Sequence, residues 1–332
     1  MSVLRRSAFV AGTLASAAAL TARAQAAQWS YRYAHNLPVG HPLHIRTVQM
    51  WREVREATGG RLDVTVFPNN QLGADPSALA QLRSGAIQFF TASGGLLSGI
   101  VPVAQIENVG FAFPDAAAAL RAMDGELGAL VRGEIAGKGL VALERMWDNG
   151  MRQVTSSTKP ILAVDDLAGF KIRTPPSALW VDLFRTLGAA PTPISGAELY
   201  LALQTHVVDG QENALAGIEA TRLYEVQKYL SFTNHMFAGY WMLANADAWR
   251  ALPPDVQAVV ERANARWALA QRRDLALLNV SLADKLQRRG MTLHRVAQRP
   301  FREKLRPFYA KWKAEFGERA WTALERSAGA LA

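Results

Sequence analysis

Arg173 closes the run Phe170 to Thr174 just before Pro175-Pro176 stop it, and the carboxyl end of a strand is where α/β sheets collect ligands. A guanidinium there offers two parallel donors matched to a carboxylate and stays charged at any working pH. The plainer alternative is a surface arginine paired with a nearby acid such as Asp166. A second chemistry, metal-dependent hydrolysis, is raised by His35, His41 and His44, which lie close together. No His-Glu-x-x-His or comparable acid spacing accompanies them, and His41 and His44 flank Pro42 at a helix start, so they read as surface or cap histidines. No Gly-x-Ser-x-Gly elbow offers a serine nucleophile. With no cysteine in the chain, thiolate catalysis and Cys-based metal sites are excluded. The expectation is a binder of anions: not an enzyme, with no cofactor and no metal.

The elements that must position Arg173 follow from periodicity. Trp29 to Ala34 alternates as a strand, and Leu37-Pro38-Val39-Gly40 turns it into a helix opened by Pro42 and ended by Gly59-Gly60, with Ile45, Val48, Trp51 and Val54 predicted as its apolar face. Leu62, Val64 and Val66 alternate as a second strand. Asp75-Pro76 caps a helix bearing Leu79 and Leu82, and Ile87 to Thr91 is a third strand. Strand, helix, strand, helix, strand is the grammar of a parallel α/β sheet. It restarts with strands at Leu140–Leu143 and Phe170–Thr174 and a helix begun at Ser177, predicting a second, separate sheet. Ser195 and Glu198 match a capping box, placing a helix over about Gly196 to Thr205. From Pro253 to about Arg289 a helical pattern runs without internal Gly or Pro, long enough to brace two lobes.

Arg5 and Arg6 precede the uncharged run Ser7 to Ala22 and an Ala24-Gln25-Ala26 cleavage signal, the pattern of a secretory signal peptide over residues 1–26. The Arg5-Arg6 pair with Phe9 hints at twin-arginine export, but the aromatic sits one place late, which favours the general route. What remains exceeds what one hydrophobic core usually serves, so two lobes are expected. The formal charge of +9 loses Arg5, Arg6 and Arg23 and no acid on maturation. The balance favours anionic ligands. No basic run with interleaved aromatics points to nucleic acid.

Several segments then stand together in order: Gln71-Leu72-Gly73, Asn149-Gly150-Met151-Arg152-Gln153, Asp166 through Arg173, Glu198 through Gln204, and Val208-Asp209-Gly210-Gln211-Glu212-Asn213. The series resembles the extracytoplasmic binding subunits of TRAP (tripartite ATP-independent periplasmic) transporters along essentially the whole mature chain. The resemblance implies a type II-like two-lobed periplasmic-binding-protein fold of the α/β class. Each lobe would hold a mainly parallel sheet flanked by helices, with a long helix bracing both. Lobe I is expected over 27–150 with about 239–278, lobe II over 151–238 with about 279–332, hinges near 150 and 238, and the connector helix over about 254–289.

By that resemblance Arg173 pairs with the ligand's carboxylate, Arg152 is a second donor to it, Asn213 orients the same group, and Asn36 contacts the ligand from the first lobe. On composition alone Asn213 and Asn36 are equally turn formers. Trp147, Tyr240 and Ser93 are further candidates for the cleft wall, while Asp75 reads as a helix N-cap. Sialic-acid-binding relatives carry an acid and an arginine where this chain has Ala92-Ser93-Gly94-Gly95-Leu96, and an aromatic where it has Gly196. A compact 2-oxo, 2-hydroxy or aromatic monocarboxylate is therefore expected instead. The implied partners are the small and large membrane subunits of an ion-gradient-driven permease, with a periplasmic sensor domain as the alternative listener. The subunit is expected to be a periplasmic monomer.

Overall fold

A computed structural model describes residues 27–331; the signal-peptide reading falls outside them. The chain runs β1 (Trp29–Ala34), α1 (Pro42–Ala57), β2 (Leu62–Phe67), α2 (Asp75–Ser84), β3 (Phe89–Ala92), α3 (Gly94–Leu97), a 3-10 segment over Pro102–Asn108, α4 (Ala116–Asp124), α5 (Glu126–Ala136) and β4 (Leu140–Ala142). It continues through β5 (Trp147–Ser156), β6 (Lys171–Thr174), α6 (Ala178–Thr186), β7 (Ala190–Pro193), α7 (Leu199–Gln204), β8 (Gly210–Ala214), α8 (Leu215–Ala220) and β9 (Tyr229–Asn245). It closes with α9 (Ala246–Ala251), α10 (Pro254–Arg288), β10 (Thr292–Arg295), α11 (Arg299–Lys304), α12 (Arg306–Phe316) and α13 (Glu318–Ala328).

The strand order is β2-β1-β3-β9-β5-β8-β6-β7, with β4 and β10 also on β9. Outer strands pair in parallel (β1 with β2 and β3, β6 with β7 and β8), whereas β9 meets β3 and β5 antiparallel. The two halves are not separate sheets: β9 carries β3 and β4 on Trp241–Asn245 and β10 on Tyr229–Phe232, and β5 follows it across both halves. β4 therefore belongs with the first half and does not open the second. The β5–β9 ladder slips in register at Asp148/Gly150 and at Arg152/Val154, and Gly150 has φ +96, a conformation that L side chains rarely adopt.

Helix α1 starts as expected, with Pro42 in its first turn and His41 Nδ1 accepting from the Leu43 N–H at 3.1 Å. Its buried face is Leu43, Thr47, Met50, Trp51 and Val54, while Ile45 and Val48 are exposed. The apolar residues outnumber the buried stripe, and packing on β1 and α10 selects between them. The capping box at Ser195 does not form: Ser195 Oγ accepts from the Ala197 N–H at 3.4 Å, and Gly196–Glu198 is a 3-10 turn leading into α7.

Helix α10 changes partners along its length. Val256, Val260, Ala263 and Ala268 pack with Tyr33, Trp51, Val54 and Leu62, and Leu275, Leu282 and Leu286 with Leu199, Leu203, Ile218 and Leu230. Between the two stretches sits Gln271, whose amide donates to the Asp148 carbonyl at 2.7 Å and accepts from the Asp148 N–H at 3.0 Å. The C-terminal segment is not confined to the second half, because α13 lies on α4 and α5 with Arg326 donating to Glu126 at 2.9 Å. Likewise Tyr309 of α12 donates to the Gly110 carbonyl at 3.0 Å.

Gln271→Ala should leave two buried backbone groups of Asp148 unpaired. Unfolding monitored by circular dichroism should report a loss of about 1–3 kcal/mol; an unchanged midpoint would show that α10 does not hold β5 through this residue.

Candidate ligand-binding site

The carboxyl ends of the parallel strands converge on a cavity of about 110 Å³. Asn36 and Leu37 follow β1, Asn70 follows β2, Ser93 and Leu96 follow β3, and Arg173, Pro175, Gly196 and Asn213 stand at the ends of β6, β7 and β8. Asn149, Arg152 and Tyr240 enter from the strands shared by both halves, and Trp180 from α6. A wider open recess of about 540 Å³ around Tyr200, Tyr224 and Lys228 meets no such convergence of strand ends.

Arg173 is 4% exposed. Its Nε donates to the Ile194 carbonyl at 2.8 Å, and no ion pair holds its guanidinium among the described residues. Asp166 is not its partner, because that carboxylate accepts from the Leu162 and Ala163 N–H groups at 2.8 and 2.9 Å. Burial pushes the guanidinium down to about 10 despite the opposing pull of Glu212 and Asp75. A buried cation so destabilised is a site short of negative charge.

Arg152 is in the same wall, but Nε and Nη2 grip the Glu212 carboxylate, Nη2 also donates to the Glu212 carbonyl at 2.7 Å, and the Trp180 ring lies 5.7 Å from its guanidinium carbon. Glu212 is further met by His235 Nε2 at 3.2 Å. Burial alone would raise the Glu212 carboxyl; Arg152 and His235 overcome it and hold the group down to about 2. Most of the Arg152 charge is thus answered inside the protein, whereas that of Arg173 is not.

Asn36 donates through Nδ2 to Asp75 Oδ2 at 3.0 Å. Asn213 accepts from the Ala214 N–H at 2.9 Å and lies against Gly217, where a Cβ would come within 2.8 Å of its Oδ1. Tyr240, whose hydroxyl burial pushes up to about 12, and Ser93 both line the cavity. Trp147 does not: its indole is fully buried and donates to Asn264 of α10 at 2.8 Å, so it belongs to the core. Asp75 is a wall residue and not the cap of α2, which is Ala74. An acid before proline is so common at helix starts that its exposure to the cleft was hidden. Trp180, Asn149 and Asn70 were also missed, the first because an aromatic on an amphipathic helix reads as core.

The two halves meet over the cavity. A Cβ on Gly95 would fall 2.1 Å from the Trp180 ring, so only glycine admits that indole, and Ser177 donates to Gln105 across the same boundary at 3.0 Å. At Gly196 the nearest atom to a Cβ would be Arg173 Nη2, 4.0 Å away, which leaves room beside the guanidinium. His35 and His41 are buried, correcting the surface assignment, and His41 does cap α1. His35 Nε2 faces His44 Nδ1 at 3.1 Å, and no metal-binding group of three or more ligating side chains forms among the described residues.

Two α/β lobes closing on a small cationic cavity define a solute-binding protein. Residues 33–315 match the model of bacterial extracellular solute-binding protein family 7, and the chain belongs to that family, the substrate-binding subunits of TRAP transporters. It is 32% identical over 244 residues to the 2,3-diketo-L-gulonate-binding periplasmic protein of Escherichia coli strain K12, covering 74% of each chain. An uncharacterized protein of Sinorhizobium fredii is 37% identical over 225 residues, 68% of this chain, which spans only 41% of that protein's length. A TRAP periplasmic solute binding protein from Polaromonas sp. JS666 bound to D-erythronate superposes with a TM-score of 0.87 at 29% identity, over 91% of this chain and 99% of that one. The family is one of periplasmic transport proteins and not of enzymes. No helix among the described residues is long and apolar enough to cross a membrane.

Behind the cavity, fully buried Glu107 accepts from the Gly94 N–H at 3.1 Å, and burial raises its carboxyl from 4.5 to about 8. Between those values the native state binds more protons than the unfolded chain, so this group's contribution to stability falls as pH rises. From pH 6.5 to 8.5, above the Asp148 carboxyl that burial pushes up to about 6, the unfolding free energy of the wild type should fall relative to that of Glu107→Gln by up to about 1.4 kcal/mol per pH unit. The comparison cancels the histidines His35, His41, His44 and His235, whose lowered pKa values give stability that rises with pH in both proteins. Parallel slopes would show that Glu107 is ionised throughout.

Proposed function

We propose that this chain captures a small organic monocarboxylate in the cleft by lobe closure and delivers it to an ion-gradient-driven TRAP permease of small and large membrane subunits. The observation that carries the reading is Arg173: buried, free of any ion pair among the described residues, and on the wall of the cavity. Closing the lobes over this cation alone buries charge without compensation. A bound carboxylate removes that cost, so ligand stabilises the closed form over the open one, and the change of shape is what the membrane partner reads. Asn213 and Asn36 orient the ligand, and Arg152 supports the site chiefly by fixing Glu212.

The slips in the β5–β9 ladder near residues 150 and 238 suit the hinges between a lobe of residues 27–150 with 239–278 and a second built on 151–238. A cavity of about 110 Å³ is well under the roughly 300–1,000 Å³ of sites for drug-sized ligands. That supports a compact acid and disfavours sialic acid or an aromatic tail. We assign the chain no catalytic step. Export through the general route, with removal of residues 1–26, and action as a monomer complete the proposal.

Thermal unfolding of protein purified from the periplasm, run with a panel of monocarboxylates, tests the carboxylate clamp. A ligand at a hundred times its dissociation constant should stabilise the wild type by about 2.7 kcal/mol. Arg173→Ala should abolish the response, and Arg173→Lys, which keeps the charge but loses the fork, should weaken binding at least about tenfold. Equal responses in wild type and both variants would rule out Arg173 as the clamp.

A further inference from the structure

The wall facing Arg173 carries hydrogen-bonding capacity that the protein does not use. Among the described residues, Asn36 Oδ1, Asp75 Oδ1 and Asn149 Oδ1 are each buried without a partner, and all three residues line the cavity. Asp75 is 7% and Asn149 2% exposed. The Asn36 amide is oriented by its own bond: Nδ2 donates to Asp75 Oδ2 at 3.0 Å, which presents Oδ1 as an acceptor. Amide oxygens accept and never donate. The cation that answers a ligand carboxylate stands on β6, and these oxygens stand after β1, at the start of α2 and on β5.

Resting on the proposed carboxylate capture, we infer that the cleft selects short polyhydroxy monocarboxylates, with the Asn36–Asp75 pair and Asn149 accepting hydrogen bonds from the ligand's hydroxyl groups. A keto oxygen, an aromatic ring and a second carboxylate have no hydrogen to give. Any of them would seal the three oxygens away from water unpaired, and sites built to pair a substrate hydroxyl reject analogues lacking it far more strongly than a missing methylene is rejected. Within the class expected from sequence, the 2-hydroxy acids are thereby separated from the 2-oxo and aromatic acids.

Isothermal titration calorimetry on the periplasmically purified protein decides this with acids of one carbon count. Erythronate and threonate carry three hydroxyls on the skeleton of butyrate, 2-oxobutyrate and succinate, and gluconate extends the series. The best hydroxy acid should bind at least tenfold, and about a hundredfold if two hydroxyls are read, more tightly than butyrate, 2-oxobutyrate or succinate. In the near-isosteric double variant Asn36→Leu, Asp75→Leu that preference should collapse, with butyrate binding retained as the sign of an intact fold. A gap under tenfold in the wild type, or a double variant that keeps the preference, overturns the inference while leaving carboxylate capture standing. Binding of none of these acids, or undiminished binding to Arg173→Ala, overturns carboxylate capture and the inference with it.

Discussion

A buried guanidinium that no ion pair holds among the described residues is the constraint from which the rest of this structure follows. Two arginines enter one cavity, and the chain treats them differently. Arg152 is locked to Glu212, itself backed by His235, so its charge is answered before any ligand arrives and it is held beneath Trp180. Arg173 has one backbone carbonyl for company. A cation in that state is tolerable in an open, hydrated cleft and costly in a closed, dry one, which is why we propose that closure is conditional on an anion.

On that proposal the two halves move as bodies and meet precisely. The long strand β9 and the helix α10 supply the continuity, each belonging to both halves, and Gln271 ties the helix to β5 where the ladder slips. The contact between the halves depends on small residues. Gly95 admits the Trp180 ring, and Gly110 admits Leu183, since a Cβ there would fall 2.3 Å from its methyl. These glycines are required by close approach and not by backbone conformation, for neither has a positive φ.

Much of the architecture was legible because it rests on local patterns. Alternation in Trp29–Ala34 and Leu62–Phe67, proline at the start of α1 and the unbroken helical run of α10 are short-range signals, and each element formed where it was expected. The errors share a cause. The run Leu140–Leu143 reads as the first strand of a second sheet because strand order is a property of pairing across many residues, which a local pattern does not contain. Ile45 and Val48 were buried on paper because periodicity defines a stripe without saying which edge of it meets a neighbour. Trp147 is a cleft candidate by sequence and a core residue in the fold, because proximity to a crossover says nothing about which face of the sheet a side chain takes.

For the site the division is sharper. The sequence by itself determined the class: a guanidinium at a strand end before Pro175, in an ordered series of family segments, points to anion binding between two α/β lobes, because that chemistry needs only a residue type at a topological position. Only the tertiary structure decided which charges are available. Arg152 and Arg173 are alike in sequence, and what separates them is Glu212, 60 residues from one of them along the chain. The same holds for Asp75, a generic helix-start acid until folding buries it beside Asn36 in the cavity wall with one oxygen left without a partner among the described residues. Electrostatic and hydrogen-bond balances are sums over neighbours in space, and neighbours in space are what a linear pattern does not contain.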